Sequence, residues 1–111
     1  MVEIDKLFIG KEKYATKGIV KSLPLEIQLF LWSCIDERLV KGDKLDYLQV
    51  FKLQNIYDSD KGLKVTIVIH SQEIPVYEYT YYLRDGSSPM EGTIFVIDDG
   101  SVVTMLWADE Y

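Results

Sequence analysis

One cysteine, Cys34, and one histidine, His70, are all the thiol and imidazole chemistry this chain holds. A lone cysteine cannot close an intramolecular disulfide, and a structural zinc site needs several more ligands. Basic residues are also short. Twelve Lys and Arg stand against 18 Asp and Glu, and the formal charge is −6. Nucleic-acid binders draw much of their affinity from neutralising phosphates, so direct nucleic-acid binding is disfavoured. No apolar run approaches the ~20 residues that span a bilayer, so no membrane partner is expected. The start, M-V-E-I-D-K-L-F-I-G-K-E-K, interleaves acids and bases and lacks a signal peptide's charged-then-apolar layout. These absences favour the cytoplasm.

Phosphate and metal motifs are missing too. Gly86 and Gly92 have neither the spacing of a phosphate loop nor a following Lys-Ser/Thr. Asp58-Ser59-Asp60-Lys61-Gly62 starts like a calcium loop, but its glycine comes one position early and Ile69 stands where the bidentate glutamate belongs. A polar hairpin turn explains it. No cofactor, metal or catalytic residue is assigned on this basis.

What is present is ordinary globular material: 48% hydrophobic and 27% charged residues. That suits one domain over residues 1–111 with its own core. Residues 1–13 show no period and could be an arm. Tyr14 to Val20 reads as a strand, with Gly18 a bulge or a close backbone approach.

The organising stretch is L-P-L-E-I-Q-L-F-L-W-S-C-I-D-E-R-L-V-K, expected as a helix over about Pro24–Lys41. Ser22 is a candidate N-cap and Pro24 suits the first turn. Glu26 at the start, and Arg38 and Lys41 at the end, oppose the macrodipole favourably. Gly42 can take the left-handed position that closes a helix. Glu26, Ser33, Glu37 and Lys41 share a narrow polar arc, and the remaining wheel is mostly apolar. Such width calls for a second layer, a chain terminus or another subunit. Gln28, Asp36 and Arg38 sit inside that apolar arc; Asp36 would accept hydrogen bonds from a turn, or act as an acid or base.

After Gly42 the period changes to two. Tyr47–Tyr57, Leu63–Ser71 and Val76–Leu83 read as strands, with turns at Asp58–Gly62 and Gln72–Pro75 and a loop over Arg84–Gly92. Thr66, Val68 and His70 alternate with Val65, Ile67 and Ile69, and His70 is expected on the face away from the helix. Tyr77, Tyr79, Tyr81 and Tyr82 could stack bases, but packing against the helix and neighbouring strands is the plainer expectation. Asp99-Gly100 between apolar runs signals a two-residue hairpin turn that sets Ile97 opposite Val102 and Val96 opposite Val103. Phe95, Ile97, Val102 and Leu106 then form a second apolar face, expected to be covered by the arm or by another subunit. The fold class is α+β: an antiparallel sheet of about five or six strands with one main helix packed on it.

Four segments, Y-A-T-K-G-I (Tyr14–Ile19), L-P-L-E-I-Q-L-F-L-W (Leu23–Trp32), D-Y-L-Q-V-F (Asp46–Phe51) and Q-E-I-P (Gln72–Pro75), together resemble a family of small cytosolic proteins of unknown function. Its members come from low-GC Gram-positive bacteria, their phages and mobile elements. The resemblance covers roughly residues 14–80. It implies a bacterial or phage setting, and no site residue is carried over from it.

Three functions follow. The first is a non-enzymatic protein-interaction module whose partner is a protein, its own copy included, contacted through Phe30, Tyr82, Phe95, Ile97, Val102 and Leu106. The second is an acidic inhibitor or decoy for a basic site on a nucleic-acid-handling protein, which requires acids gathered on one face. The third is a small hydrolase pairing Asp36 or Glu73 with His70, which requires a cleft that brings them into hydrogen-bond reach. A Cys34–His70 pair would need both residues on one side of the sheet.

Overall fold

A computed structural model describes residues 7–84 and 90–111. Residues 1–6 of the expected arm, and the part of the 84–92 loop holding Gly86 and Pro89, lie outside them. The elements are β1 (Lys13–Ala15), α1 (Lys17–Ser22), α2 (Leu25–Val40), β2 (Leu48–Asp58), β3 (Leu63–Gln72), β4 (Tyr77–Arg84), β5 (Gly92–Asp98) and β6 (Val103–Trp107), closed by a 3-10 turn at Ala108–Glu110. The six strands form one sheet in the order β1-β6-β5-β2-β3-β4. The class is α+β, as expected, but the sheet is mixed: β1 pairs with β6 in parallel, and every other pair is antiparallel.

The stretch 14–20 departs from the strand expected there. Thr16 ends β1 because its Oγ1 accepts from the Ile19 N–H at 3.3 Å, which caps α1. Its hydroxyl also donates to Glu110 at 2.8 Å. Gly18 marks a close approach rather than a bulge, since a Cβ there would run into the Glu110 carboxylate. Ser22 does not cap α2; its hydroxyl donates to the Gly18 carbonyl at 2.6 Å and closes α1. Pro24 is the N-cap residue of α2 and offers no side-chain cap. Instead Gln28 Nε2 reaches back to the Leu23 carbonyl at 2.8 Å. The other end matches the expectation. Gly42 has φ +81°, Gly42 N donates to Leu39 O and Asp43 N to Arg38 O, which is a Schellman closure.

The helix faces the sheet with Ile27, Gln28, Leu31, Cys34, Ile35 and Arg38. Leu25, Leu29 and Val40 are exposed, and so are Asp36 and Glu37. Gln28 and Arg38 go in with the apolar arc that holds them, whereas Asp36 departs from it and stays in water. Below the helix lie Phe51, Leu53, Val68, Ile94, Val96, Val103 and Met105, joined by Ile19 of α1 and by Phe8.

In β3 the helix-facing residues are Thr66, Val68, His70 and Gln72, all buried. This corrects the placement of His70, which is fully enclosed under α2 and stacked on Phe51 at 4.3 Å between centroids. The aliphatic set Val65, Ile67 and Ile69 faces the other way. A polar set inside and an aliphatic set outside inverts the usual alternation, and the inside set works only because it is hydrogen-bonded.

The final hairpin is also corrected. Asp98 pairs with Val103, Ile97 with Thr104, Phe95 with Leu106 and Ile94 with Trp107. The connection is four residues, 99–102, because Asp99 Oδ1 accepts from the Ser101 and Val102 N–H groups and Asp98 Oδ1 from Gly100. The slip is two places, so every side chain keeps its face. Val102 falls in the loop rather than in a strand.

Candidate interaction surface

Both helices lie on one side of the sheet. Tyr81 meets Phe30 edge-on at 5.2 Å, and Trp107 Nε1 donates to Ser22 Oγ at 3.0 Å, so β4 and β6 show the same face to α2 and α1 respectively. On the opposite face the pairings place Val50 between Phe95 and Ser71, Leu48 beside Ile97, Ile67 beside Tyr82, and Ile56 beside Val65. Leu106 and Thr104 extend it to β6, and Tyr14 to β1. Among the described residues no helix covers this face. Phe95, Ile97, Leu106, Ile67 and Ile69 are half-buried, and Ile56 and Tyr82 are 50% and 65% exposed. Tyr111 sets its ring edge-on to Phe95 at 5.9 Å. The described part of the arm does not cross here: Phe8 enters the helix-side core.

Phe95, Ile97, Leu106 and Tyr82 thus share one open face. Phe30 does not; it packs on Tyr81 across the sheet, and Val102 sits at the hairpin tip. The sequence reading missed Val50, Ile67 and Ile69, although their period-two spacing was visible. Length adds to the surface. At about 3.3 Å per residue β2 runs some 36 Å, whereas α2 at 1.5 Å per residue covers roughly 24 Å. The far end of the β2–β3 hairpin outruns the helix, and Ile56, Tyr57 and Leu63 there are exposed.

The helix is fixed over the sheet by a buried polar cluster. Gln72 Oε1 accepts from Arg38 Nη1 (3.0 Å), Asp46 N (3.1 Å) and Gln49 Nε2 (2.8 Å). Gln72 Nε2 donates to the carbonyls of Lys44 (3.1 Å) and Pro75 (2.6 Å). Gln49 Nε2 also donates to Asp46 O, so Gln49 Oε1 must be an acceptor, and His70 Nε2 at 2.7 Å must carry the proton. Nδ1 is then a buried acceptor without a partner. Burial, helped by the Arg38 charge, lowers the His70 pKa to about 3. The Arg38 guanidinium stacks on Tyr77 at 3.5 Å and donates to Asp43 at 3.3 Å.

A second clamp holds the arm. Buried Asp98 accepts from Phe8 N at 2.7 Å and from Lys11 Nζ at 2.8 and 3.0 Å. Burial pushes its carboxyl up, but the Lys11, Phe8 and Gly100 hydrogen bonds outweigh that and leave it below the ordinary value.

The chemistry considered for a hydrolase is dispersed. His70 is enclosed and among the described residues has no carboxylate partner, whereas Asp36 and Glu73 are exposed. Burial raises the Cys34 thiol to about 11, despite a hydrogen bond with Tyr81. Among the described residues no three His, Cys, Asp or Glu side chains gather, and no helix is long and apolar enough to cross a membrane.

Fold and surface together define a two-layer α+β protein with helices on one side of a mixed sheet and a largely apolar face on the other. Within that class the chain belongs to the family described as Staphylococcal protein of unknown function (DUF960), whose model matches residues 12–110. It is similar to a protein of unknown function from Enterococcus faecalis, known from its crystal structure. The two are 30% identical with a TM-score of 0.76, over 100% of this chain and 98% of that one. No curated protein matches the chain. Family and neighbour agree with the low-GC Gram-positive setting that the resemblance implied.

Proposed function

We propose that this protein is a non-enzymatic, self-associating interaction module of the bacterial cytoplasm that presents its open sheet face to other proteins. The observation that carries this reading is the face itself. It is built from Val50, Ile67, Ile69, Phe95, Ile97 and Leu106, with exposed Lys52 and Gln54 of β2 beside Ile69 and Ile67, and it is left without a second layer among the described elements. Contiguous exposed apolar surface is uncommon on monomers and marks contact sites. The buried cluster supports the reading from the other side: its polar groups are spent on holding α2, and none faces a cleft. Exposed acids are spread over the α2 surface (Glu26, Asp36, Glu37), the β2–β3 turn (Asp58, Asp60), the β3–β4 turn and β4 (Glu73, Glu78) and the carboxyl-terminal turn (Asp109, Glu110), so no observation favours the decoy reading over this one.

Light scattering of the purified chain tests the self-association. A mass above the 12.9 kDa of one chain, rising with protein concentration, is expected. A constant monomer mass into the high micromolar range would remove that part of the reading.

A further inference from the structure

The two ends of the sheet differ. β1 is three residues long and gives way at Thr16 to α1. β4 runs eight residues, Y-E-Y-T-Y-Y-L-R, and among the described strands only β3 flanks it. Alternate residues of β4 turn N–H and C=O outward, where no strand among the described residues receives them. Natural edge strands are usually blunted by proline, charged side chains (lysine above all), a bulge or brevity, and the charges of β4 are confined to Glu78 and Arg84 near its ends. β4 contains no proline or lysine, and it pairs with β3 without interruption from Tyr77 to Arg84. Two of its tyrosines are exposed, one on each face of the sheet: Tyr79 is 54% and Tyr82 65% exposed.

We propose that a second copy of this chain docks on this edge, β4 against β4, antiparallel about a two-fold axis through Tyr81. The proposal rests on the self-association read above and assigns it a surface. A symmetric antiparallel pair must set outward-pointing residues against outward-pointing residues, so only every second register is allowed. Charge selects among these. With Tyr81 on the axis, Glu78 lies opposite the partner's Arg84, and Arg84 opposite the partner's Glu78. Tyr79 then meets the partner's Leu83, and Thr80 the partner's Tyr82. The next allowed register one way faces Glu78 with the partner's Tyr82; the other carries it past the end of the strand. Glu78 and Arg84 are both exposed, and their β3 neighbours Ser71 and Val65 place them on the open face. Among the described residues neither has a side-chain partner. The strand is therefore complementary to itself in one register. Joined this way, the two sheets become one, both helix layers lie on the same side, and the two open faces merge into a single platform for a further protein.

Charge exchange tests the register. In sedimentation equilibrium, Glu78→Arg or Arg84→Glu alone sets like charges against each other at two symmetric positions. Each should weaken the dimer about tenfold or more. The double variant E78R/R84E restores both pairs and should return to within about threefold of the wild type. Circular dichroism of each variant should match the wild type, since both sites are exposed. A wild-type dimer indifferent to the single exchanges, or a double variant that stays dissociated, would overturn this inference and leave self-association standing on another surface. A monomeric wild type would overturn both.

Discussion

Replacing Gln72 by Leu should cost about 3–5 kcal/mol of folding stability, the scale of breaking a buried charged network. The two side chains are similar in size, so the loss is not a cavity effect. The leucine leaves Arg38 Nη1, the Asp46 N–H and Gln49 Nε2 without their shared acceptor, and the Lys44 and Pro75 carbonyls without a donor. Arg38 is 4% exposed and cannot swing out to water without opening the end of α2. A domain of this size has some 5–15 kcal/mol in all, so the midpoint of thermal unfolding should fall by roughly 10–20 °C. Gln54→Leu on the exposed face of β2 is the matched control and should change stability by less than ~0.5 kcal/mol. Equal effects from the two substitutions would show that the cluster does not hold the helix.

The second large effect is a pH dependence centred on His70. Its folded pKa, about 3, lies below its ordinary value of 6.5. As pH falls below 6.5 the unfolded chain takes up a proton that the folded chain refuses. The stabilisation is therefore whole above about pH 6.5 and is lost progressively down to the folded value, at about 1.4 kcal/mol per pH unit. Between about pH 7 and pH 5 the loss should be about 2 kcal/mol. Asp98 works in the same direction, but its depressed pKa confines its loss to pH below the ordinary carboxylate range near ~4. Urea unfolding at the two pH values measures this. His70→Phe keeps a ring on Phe51 and removes the proton site; the variant should be less stable at pH 7, because Gln49 Oε1 loses its donor, yet its stability should not change between the two pH values. A retained slope in that variant would assign the effect elsewhere.

These two residues also show what the sequence could and could not reveal. The helix was legible because Pro24 and Gly42 bracket an apolar run, and its closure at Gly42 depends on local geometry alone. The long strands were legible through their period. Which face of β3 would be covered was not, because the outward set Val65, Ile67 and Ile69 is the more apolar one. Only a network spanning α2, β2 and β3 makes His70 and Gln72 inward residues, with Thr66 donating separately to Asn55. Arg38 inside the apolar arc was the available clue, and Asp36 beside it pointed the wrong way. The mixed sheet was hidden for a different reason: β1 is three residues long, and its pairing with β6 joins residues some 90 positions apart. In the last hairpin Asp-Gly did mark a turn, but the Asp98 and Asp99 carboxylates widened it. An even slip preserved the face on which Phe95, Ile97 and Leu106 were grouped.

The proposed self-association requires that face to be open and apolar in the native protein. A fluorescent dye that binds exposed apolar surface, added to the folded chain at neutral pH, measures this directly. Native-state binding is expected, falling sharply in an Ile67→Lys, Phe95→Lys variant of unchanged circular dichroism. A folded wild-type chain whose monomer and dimer both leave the dye unbound, or a variant that binds as much as the wild type, would contradict it.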